Sequence, residues 1–406
     1  MKKIYRFFFC VCVFLAFMMG SHAWFTWSLE NGLIGLAFSG FWFLMAEGYR
    51  QTFKIKFKTN GNIVMAIICL ILITLFSAPS IRSLIQMVLT YYPLLVLLSD
   101  VKHVDDYIRL ITKGTAVILA PGLILHFLYL AEILTVSFPV AFGESTTYIF
   151  YNFIFNLESV YTSDLRFRCV FLEPGYLGTL LVLLLYVNRF DFKKKYNLVL
   201  LAGLISSFSL AGYVTGIIAY VFHLYSHGGK STRMLKGSIV FAVLLAGGYN
   251  FALTYNDGDN DFNKKILRRL ELDDEKIIAG NNRTELSNAD ILYDNAWRSG
   301  EILLGLRITG DERAMSSLMG TSAGYKTFFL INGIIVTVLY LLIYIMIGPA
   351  MVKRKKFMLG FLILIMLTFV QAAYPSSYTW LIPYCLGSGM LETNMKKSFH
   401  TLKKER

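Results

Sequence analysis

The sequence predicts an all-α, polytopic membrane protein of about 12 transmembrane helices with one large outer-face loop. Three observations predict it. The 406 residues are 56% hydrophobic and only 16% charged, with mean hydropathy +0.56, whereas soluble domains are about a quarter charged. Apolar runs recur along nearly the whole length, and a water-soluble core of this size would not hold them all. The Lys and Arg residues stand in short clusters between those runs, as they do where charge sets membrane orientation.

The apolar spans read 4–20, 31–47, 62–78, 83–98, 112–136, 168–188, 197–208, 211–225, 237–253, 327–349, 357–373 and 378–390. The stretch Ser206 to Gly212 favours two short helices over one long helix between 197 and 225. With the N-terminus inside and alternating spans, 26 of the 39 Lys and Arg residues fall on the inner side. Ten of the remainder belong to one long loop, where the positive-inside rule has little force. Short outer loops keep only Arg82, Arg166 and Arg168. Both termini are therefore placed in the cytoplasm. The segment from Lys2 to Ala23 also resembles a signal peptide with a small-x-small cleavage site. Its removal would leave the orientation of the next span unchanged.

The chain divides into helices 1–9 (1–253), a polar outer loop (254–326), and helices 10–12 with a basic tail (327–406). The loop at 137–167 is rich in aromatic residues, which suit a membrane interface. The polar loop carries 13 Asp and Glu from Asp257 to Glu312. Leu286, Ile291, Leu292 and Trp297 predict a short helix inside it.

The net charge of +13 is dispersed among the inner loops, which argues against nucleic acid as a partner. The five cysteines lie in or beside apolar spans, so neither a disulfide framework nor a zinc site is expected. Asp257, Asp259 and Asp261 start like a calcium loop. Phe262 and Arg268 then occupy the positions where an EF-hand needs Gly and Glu. No metal or other cofactor is expected. Among the histidines only His22 faces outward, while His126 and His223 read as membrane-embedded. No outer Ser-His-Asp arrangement and no Gly-rich nucleotide loop can be assembled.

Chemistry concentrates in two places. The first is Arg166, Arg168, Glu173, Pro174, Gly175 and Gly178, at the outer start of the sixth span. A carboxylate there is costly unless it is paired or lines a polar cavity. Pro174 suits the first helical turn and leaves Glu173 just before it. A structural ion pair with an arginine is the plain alternative. The second place is Arg283, Arg298 and Arg307 in the large loop, since guanidinium groups grip phosphate through paired N–H donors. Solvated loop charge is the alternative for each of them.

Together these features resemble the O-antigen polymerase (Wzy-type) and ligase group of surface-polysaccharide proteins. Four places carry the resemblance: Arg168 through Glu173-Pro174-Gly175 to Gly178; Ser207 to Tyr213; the loop with Arg283 and Gly305 to Gly310; and Ser322 to Lys326 leading into Asn332-Gly333. The similarity spans about 160–345. It implies glycosyl transfer on the outer face of a bacterial inner membrane, from a polyprenyl (undecaprenyl) pyrophosphate-linked oligosaccharide. Arg283 is then expected to grip pyrophosphate, helped by Arg166, Arg168, Arg298 and Arg307. Glu173 is expected to act as base or to orient Arg168. A flippase and a chain-length regulator of the same pathway become expected partners. Ligases of this group present a histidine near the loop's return, whereas Met319 to Lys326 holds none, which favours polymerase. A flippase or other transporter is the main rival. The sequence shows no internal repeat of the kind transporters carry, and most of its charges lie at or outside the span boundaries. A non-catalytic assembly partner is the third reading.

Overall fold

The computed structural model describes residues 2–30, 32–57, 60–77, 80–134, 137–142, 149–160, 166–226, 254, 288–306, 324–352, 355–371 and 377–389. The predicted ninth span, 237–253, the three-aspartate segment and the basic tail lie outside them, as do Arg283 and Arg307. The described chain is mostly helical: α1 (Lys2–Met19), α2 (Gly32–Phe53), α3 (Gly61–Ser77), α4 (Ile81–Ser99) and α5 (Val104–Leu130) come first. Then come α6 (Pro174–Val187), α7 (Lys195–Ser206), α8 (Leu210–Ser226), α9 (Asn288–Ser299), α10 (Gly324–Ile347), α11 (Lys355–Gln371) and α12 (378–389).

Four helices are long and apolar enough to cross a membrane, namely α2, α4, α5 with the turn before it, and α10. Several others are apolar but shorter. The pattern of burial explains why the sequence is so greasy. Every residue of α6 except Tyr176 is buried. By contrast, α3 and α4 turn Val64, Ile68, Leu75, Ile85 and Val88 outward. A core helix apolar all round, wrapped by helices whose outer faces are also apolar, is what a lipid solvent demands.

Helices α6, α7 and α8 pack on one another and on α5 and α11, while α10 lies along α3, and α2 along α1 and α4. The ends of α1 and α5 and the starts of α2, α4, α6 and α12 gather at one end of the bundle, hereafter the Glu173 end. The starts of α5 and α7 and the ends of α6 and α8 gather at the other. Among the described residues, α1 and α2, α4 and α5, and α5 through α8 therefore alternate in direction.

Three departures from the sequence reading have physical causes. Helix α5 begins at Val104, eight residues before its predicted span, because Asp105 and Asp106 favour a helix N-terminus while depressing hydropathy. Helix α6 begins at Pro174 rather than 168, because Glu173 is extended ahead of Pro at the first helical position. The aromatic loop contains a three-stranded antiparallel sheet, β1 (Phe138–Ala141), β2 (Ile149–Asn152) and β3 (Leu157–Ser159), paired in that order. Its strands are too short to announce themselves by alternation. The expected turn between α7 and α8 is present, and so is the short helix in the polar loop.

Candidate functional site

The segment 166–173 is a strap that runs between the sheet and the helices. Its backbone is fastened on three sides. Phe167 donates its N–H to the carbonyl of Ser206 at the end of α7 (2.9 Å), and Leu157 of β3 donates to Cys169 (2.8 Å). Trp24, after α1, donates to Val170 (2.9 Å), and Ala23 bridges to Phe171. Within the strap, Phe171 donates to the Arg168 carbonyl (3.0 Å), and Cys169 takes a positive φ of 53° to close that turn. Glu173 follows in extended geometry (φ −136°, ψ 147°) and is half-buried where α6 starts.

Arg168 is 7% exposed, an expensive place for a cation. Its guanidinium carbon lies 5.2 Å from the centre of the Phe150 ring, and Nη1 donates to the Leu172 carbonyl at 3.5 Å. An aromatic face partly replaces water around guanidinium, by about 2 kcal/mol when desolvated. Arg166 is half-buried, within electrostatic reach of the Tyr213 hydroxyl on α8. Burial pushes the Cys169 thiol up, which favours its protonated form.

Beneath the strap lies a pair that the sequence reading missed. Glu158 Oε1 sits 2.7 Å from His126 Nδ1 and accepts a hydrogen bond from Asn156 Nδ2 at 2.6 Å. His126 and Glu158 are each 1% exposed. The His126 ring packs at an angle on Phe167 of the strap. Glu158 thus holds β3, and β3 holds the strap through Leu157. Glu158 was hidden in an aromatic stretch and His126 lay 32 residues away, so no spacing rule links them.

The turn between α7 and α8 closes against the same helix start. Ser207 Oγ donates to the Leu204 carbonyl (2.7 Å) and Ser209 Oγ accepts from the Gly212 N–H (3.1 Å), which caps α8. Helices α6 and α8 then cross at Gly178 and Gly212. A Cβ on Gly178 would stand 2.9 Å from the Ser209 Cβ, and one on Gly212 would stand 3.0 Å from the Gly178 Cα. Two segments singled out from the sequence, Arg168 to Gly178 and Ser207 to Tyr213, are therefore in contact.

A second contact joins the other two. Gly305 (φ +81°) and Gly333 (φ +85°) face each other, and a Cβ on either would come 2.5 Å from backbone of the opposite segment. Gly333 breaks the helical path of α10, and the end of the polar loop docks into that break. Ala296, Ile302, Leu306 and Leu330 form a small cluster there. Lys326 Nζ stands 5.5 Å from the Tyr293 ring centre, and burial pushes the Tyr293 phenol up. Arg298 is exposed on α9, whose packing is against α10 and the turn Glu301–Leu303. Ile291 and Trp297, expected to help form the loop helix's apolar stripe, are exposed.

Two polar cavities flank these elements. A cleft of about 480 Å³ opens at the Glu173 end, lined by His22, Ser39, Arg82, Gln86, Tyr176 and Ser377 among others. Tyr176 lies in the first turn of α6 and makes an edge-to-face contact with His22. A cavity of about 600 Å³ at the opposite end is lined by Asp105, Arg109, Arg189, Asp191, Lys194 and His223. It is larger, but α6 separates it from Glu173 by about 20 Å, at 1.5 Å per residue. Its Asp191 and Lys194 lie 3.6 Å apart and offset each other. Among the described residues no group of His, Cys, Asp or Glu is arranged to hold a metal. No protein-family profile, curated protein or solved structure matches this chain.

Proposed function

We propose that this protein is a bacterial inner-membrane glycosyltransferase that polymerises lipid-linked oligosaccharide repeat units on the outer face. It has about 12 membrane spans and both termini in the cytoplasm. The observation that carries this reading is the packing of Arg168 to Gly178 against Ser207 to Gly212, with Glu173 half-buried at the start of the same helix. Alternating helix directions, which bring the Glu173 end and the start of α4 with Arg82 together, support the orientation.

In the proposed reaction the bond between the anomeric carbon of the growing chain and its pyrophosphate oxygen breaks. The acceptor hydroxyl of the next unit forms the new glycosidic bond and loses its proton to a base. Glu173 takes that proton or orients Arg168. Arg283 grips the leaving pyrophosphate, with Arg166, Arg298 and Arg307 in support, because several negative charges develop there, while the buried Arg168 acts through the strap it braces. The donor is already activated, so neither a nucleotide nor a metal is required. A flippase and a chain-length regulator of the same pathway are the proposed partners.

The test is deletion of the gene followed by gel analysis of surface polysaccharide. Loss of long chains with single repeat units retained supports the polymerase. Loss of all surface sugar, with lipid-linked units trapped inside, overturns it in favour of a flippase. Arg283→Ala and Glu173→Ala each reproduce the deletion at unchanged protein level. Full-length chains in both variants would mean that the site is elsewhere.

A further inference from the structure

The polar cavity of about 600 Å³ at the end opposite Glu173 takes no part in the proposed reaction. Its walls come from the start of α5, the end of α6, the turn after it and the start of α7, with His223 of α8 on one side. Arg109, Arg189 and Lys194 line it, against Asp105 and Asp191. Lys113 follows Arg109 by one turn of α5, and Lys195 adjoins Lys194. Asp191 is taken up by Lys194 at 3.6 Å, and Asp105 stands one turn before Arg109 on the same helix. Five cations thus surround a space that offers two carboxylates. Helix α7 starts in that space with the wrong charges. Lys194 is its N-cap and makes no side-chain cap bond, and its first turn holds no acidic residue. Cations there oppose the helix dipole, and the first N–H groups need an acceptor. An anion in the cavity answers both.

Two outward stripes lead away from the same place. On α5, Arg109, Lys113, Val117 and Ile124 are all exposed, and at 3.6 residues per turn they share one face within about 80°. On α7, Lys195, Leu198, Ala202 and Ile205 are exposed and share a face in the same way. Each stripe is basic at the cavity and apolar beyond it. Helix α5 packs along α7, and both start at this end. Lys113 Nζ lies 5.9 Å from the centre of the Tyr196 ring, and Lys194 Nζ lies 6.0 Å from the same ring. The two stripes therefore begin side by side. From Lys195 to Ile205 the α7 stripe runs about 15 Å, half the thickness of a bilayer's hydrocarbon core.

We propose that this cavity holds the head of an anionic glycerophospholipid whose acyl chains lie along the α5 and α7 stripes. Arg109, Arg189 and the lysines at the start of α7 take the phosphate, as basic pockets between membrane helices do. The apolar stretch beyond the cations selects a lipid over a soluble phosphate, since a free anion would leave Val117, Leu198 and Ile205 unused. Once bound, the lipid ties the starts of α5 and α7 to the end of α6. The site stands independently of the polymerase reading. In the orientation proposed above it faces the cytoplasmic leaflet, where anionic lipid is concentrated.

The experiment measures lipid binding to the full-length chain in dodecyl maltoside by native mass spectrometry, with dioleoyl phosphatidylglycerol as the probe. The wild type holds it about tenfold more tightly than dioleoyl phosphatidylcholine. Arg109→Gln combined with Lys113→Gln, at two exposed positions where folding tolerates change, removes that preference and leaves phosphatidylcholine binding as it was. Lys2→Gln combined with Lys3→Gln takes the same charge from the exposed start of α1, outside the cavity, and keeps the preference. Dihexanoyl phosphatidylglycerol, with the same head on short chains, binds about tenfold more weakly than the dioleoyl form. An unchanged preference in the Arg109 and Lys113 variant would overturn the site. So would an equal loss in the Lys2 and Lys3 variant, which would assign the binding to diffuse surface charge. Equal affinity for the two chain lengths would overturn the lipid assignment and leave a site for soluble phosphate. None of these outcomes depends on which polysaccharide phenotype the gene deletion gives.

Discussion

The strap before α6 and the loop end before α10 both return polar chain to an apolar helix, by opposite means. The strap is buried and stitched by backbone bonds to α7, β3 and the segment after α1, with Glu158, His126 and Arg168 sealed beneath or within it. The loop end is mostly exposed, held by four buried apolar side chains and by the close approach of Gly305 to Gly333. The strap's polar groups cannot relax into water if a partner is removed. Those of α9 can.

The sharpest way to break this contrast is Glu158→Leu. It strips His126 of its carboxylate in a dry site and costs about 3 kcal/mol, seen as a lower thermal midpoint in detergent. Adding His126→Phe recovers part of the loss, since the imidazole is then no longer stranded and only the Asn156 amide still lacks its carboxylate. An unchanged midpoint in the single variant would show that the pair is not structural.

Gly333→Ala comes next. A side chain there meets the Leu303 carbonyl at 2.5 Å with φ at +85°, so the loop end must lift or α10 must straighten. The expected cost is about 2 kcal/mol. It should be accompanied by faster proteolysis within 288–306 while the strap stays protected. Equal protection of both segments would remove the distinction between them.

Arg298→Ala is the smallest. The side chain is exposed, so stability should move by no more than about 0.5 kcal/mol. If the arginine serves pyrophosphate, polysaccharide chain length falls while the thermal midpoint holds. A midpoint shift as large as that of Glu158→Leu would place Arg298 in a structural contact instead.

Much of this architecture was legible in the sequence because it depends on local chemistry. Pro174 fixed the first turn of α6, the serines around Phe208 fixed the turn between α7 and α8, and the stretch Leu286, Ile291, Leu292 and Trp297 marked α9, although Ile291 and Trp297 are exposed. Hydropathy located α10, although Gly333 breaks its path in a way that no apolar count reveals. The site divided differently. Arg168, Glu173 and Gly178 were found because they stand close together in the chain. Glu158 and His126 were not, since their pairing depends on β3 folding under α5. His22 was set aside as a lone histidine, yet it lines the cleft with Arg82 and Tyr176.

By itself the sequence located the apolar helices of the described chain, because apolar composition and capping residues act over a few residues at a time. Which small residues meet was decided only by the tertiary structure. Gly178 touches Gly212, and Gly305 touches Gly333, because two backbones can approach that closely only where neither carries a Cβ in the way. The meeting of the Tyr91 and Tyr340 hydroxyls, from α4 and α10, was decided there too, since it needs two helices distant in the chain to lie side by side.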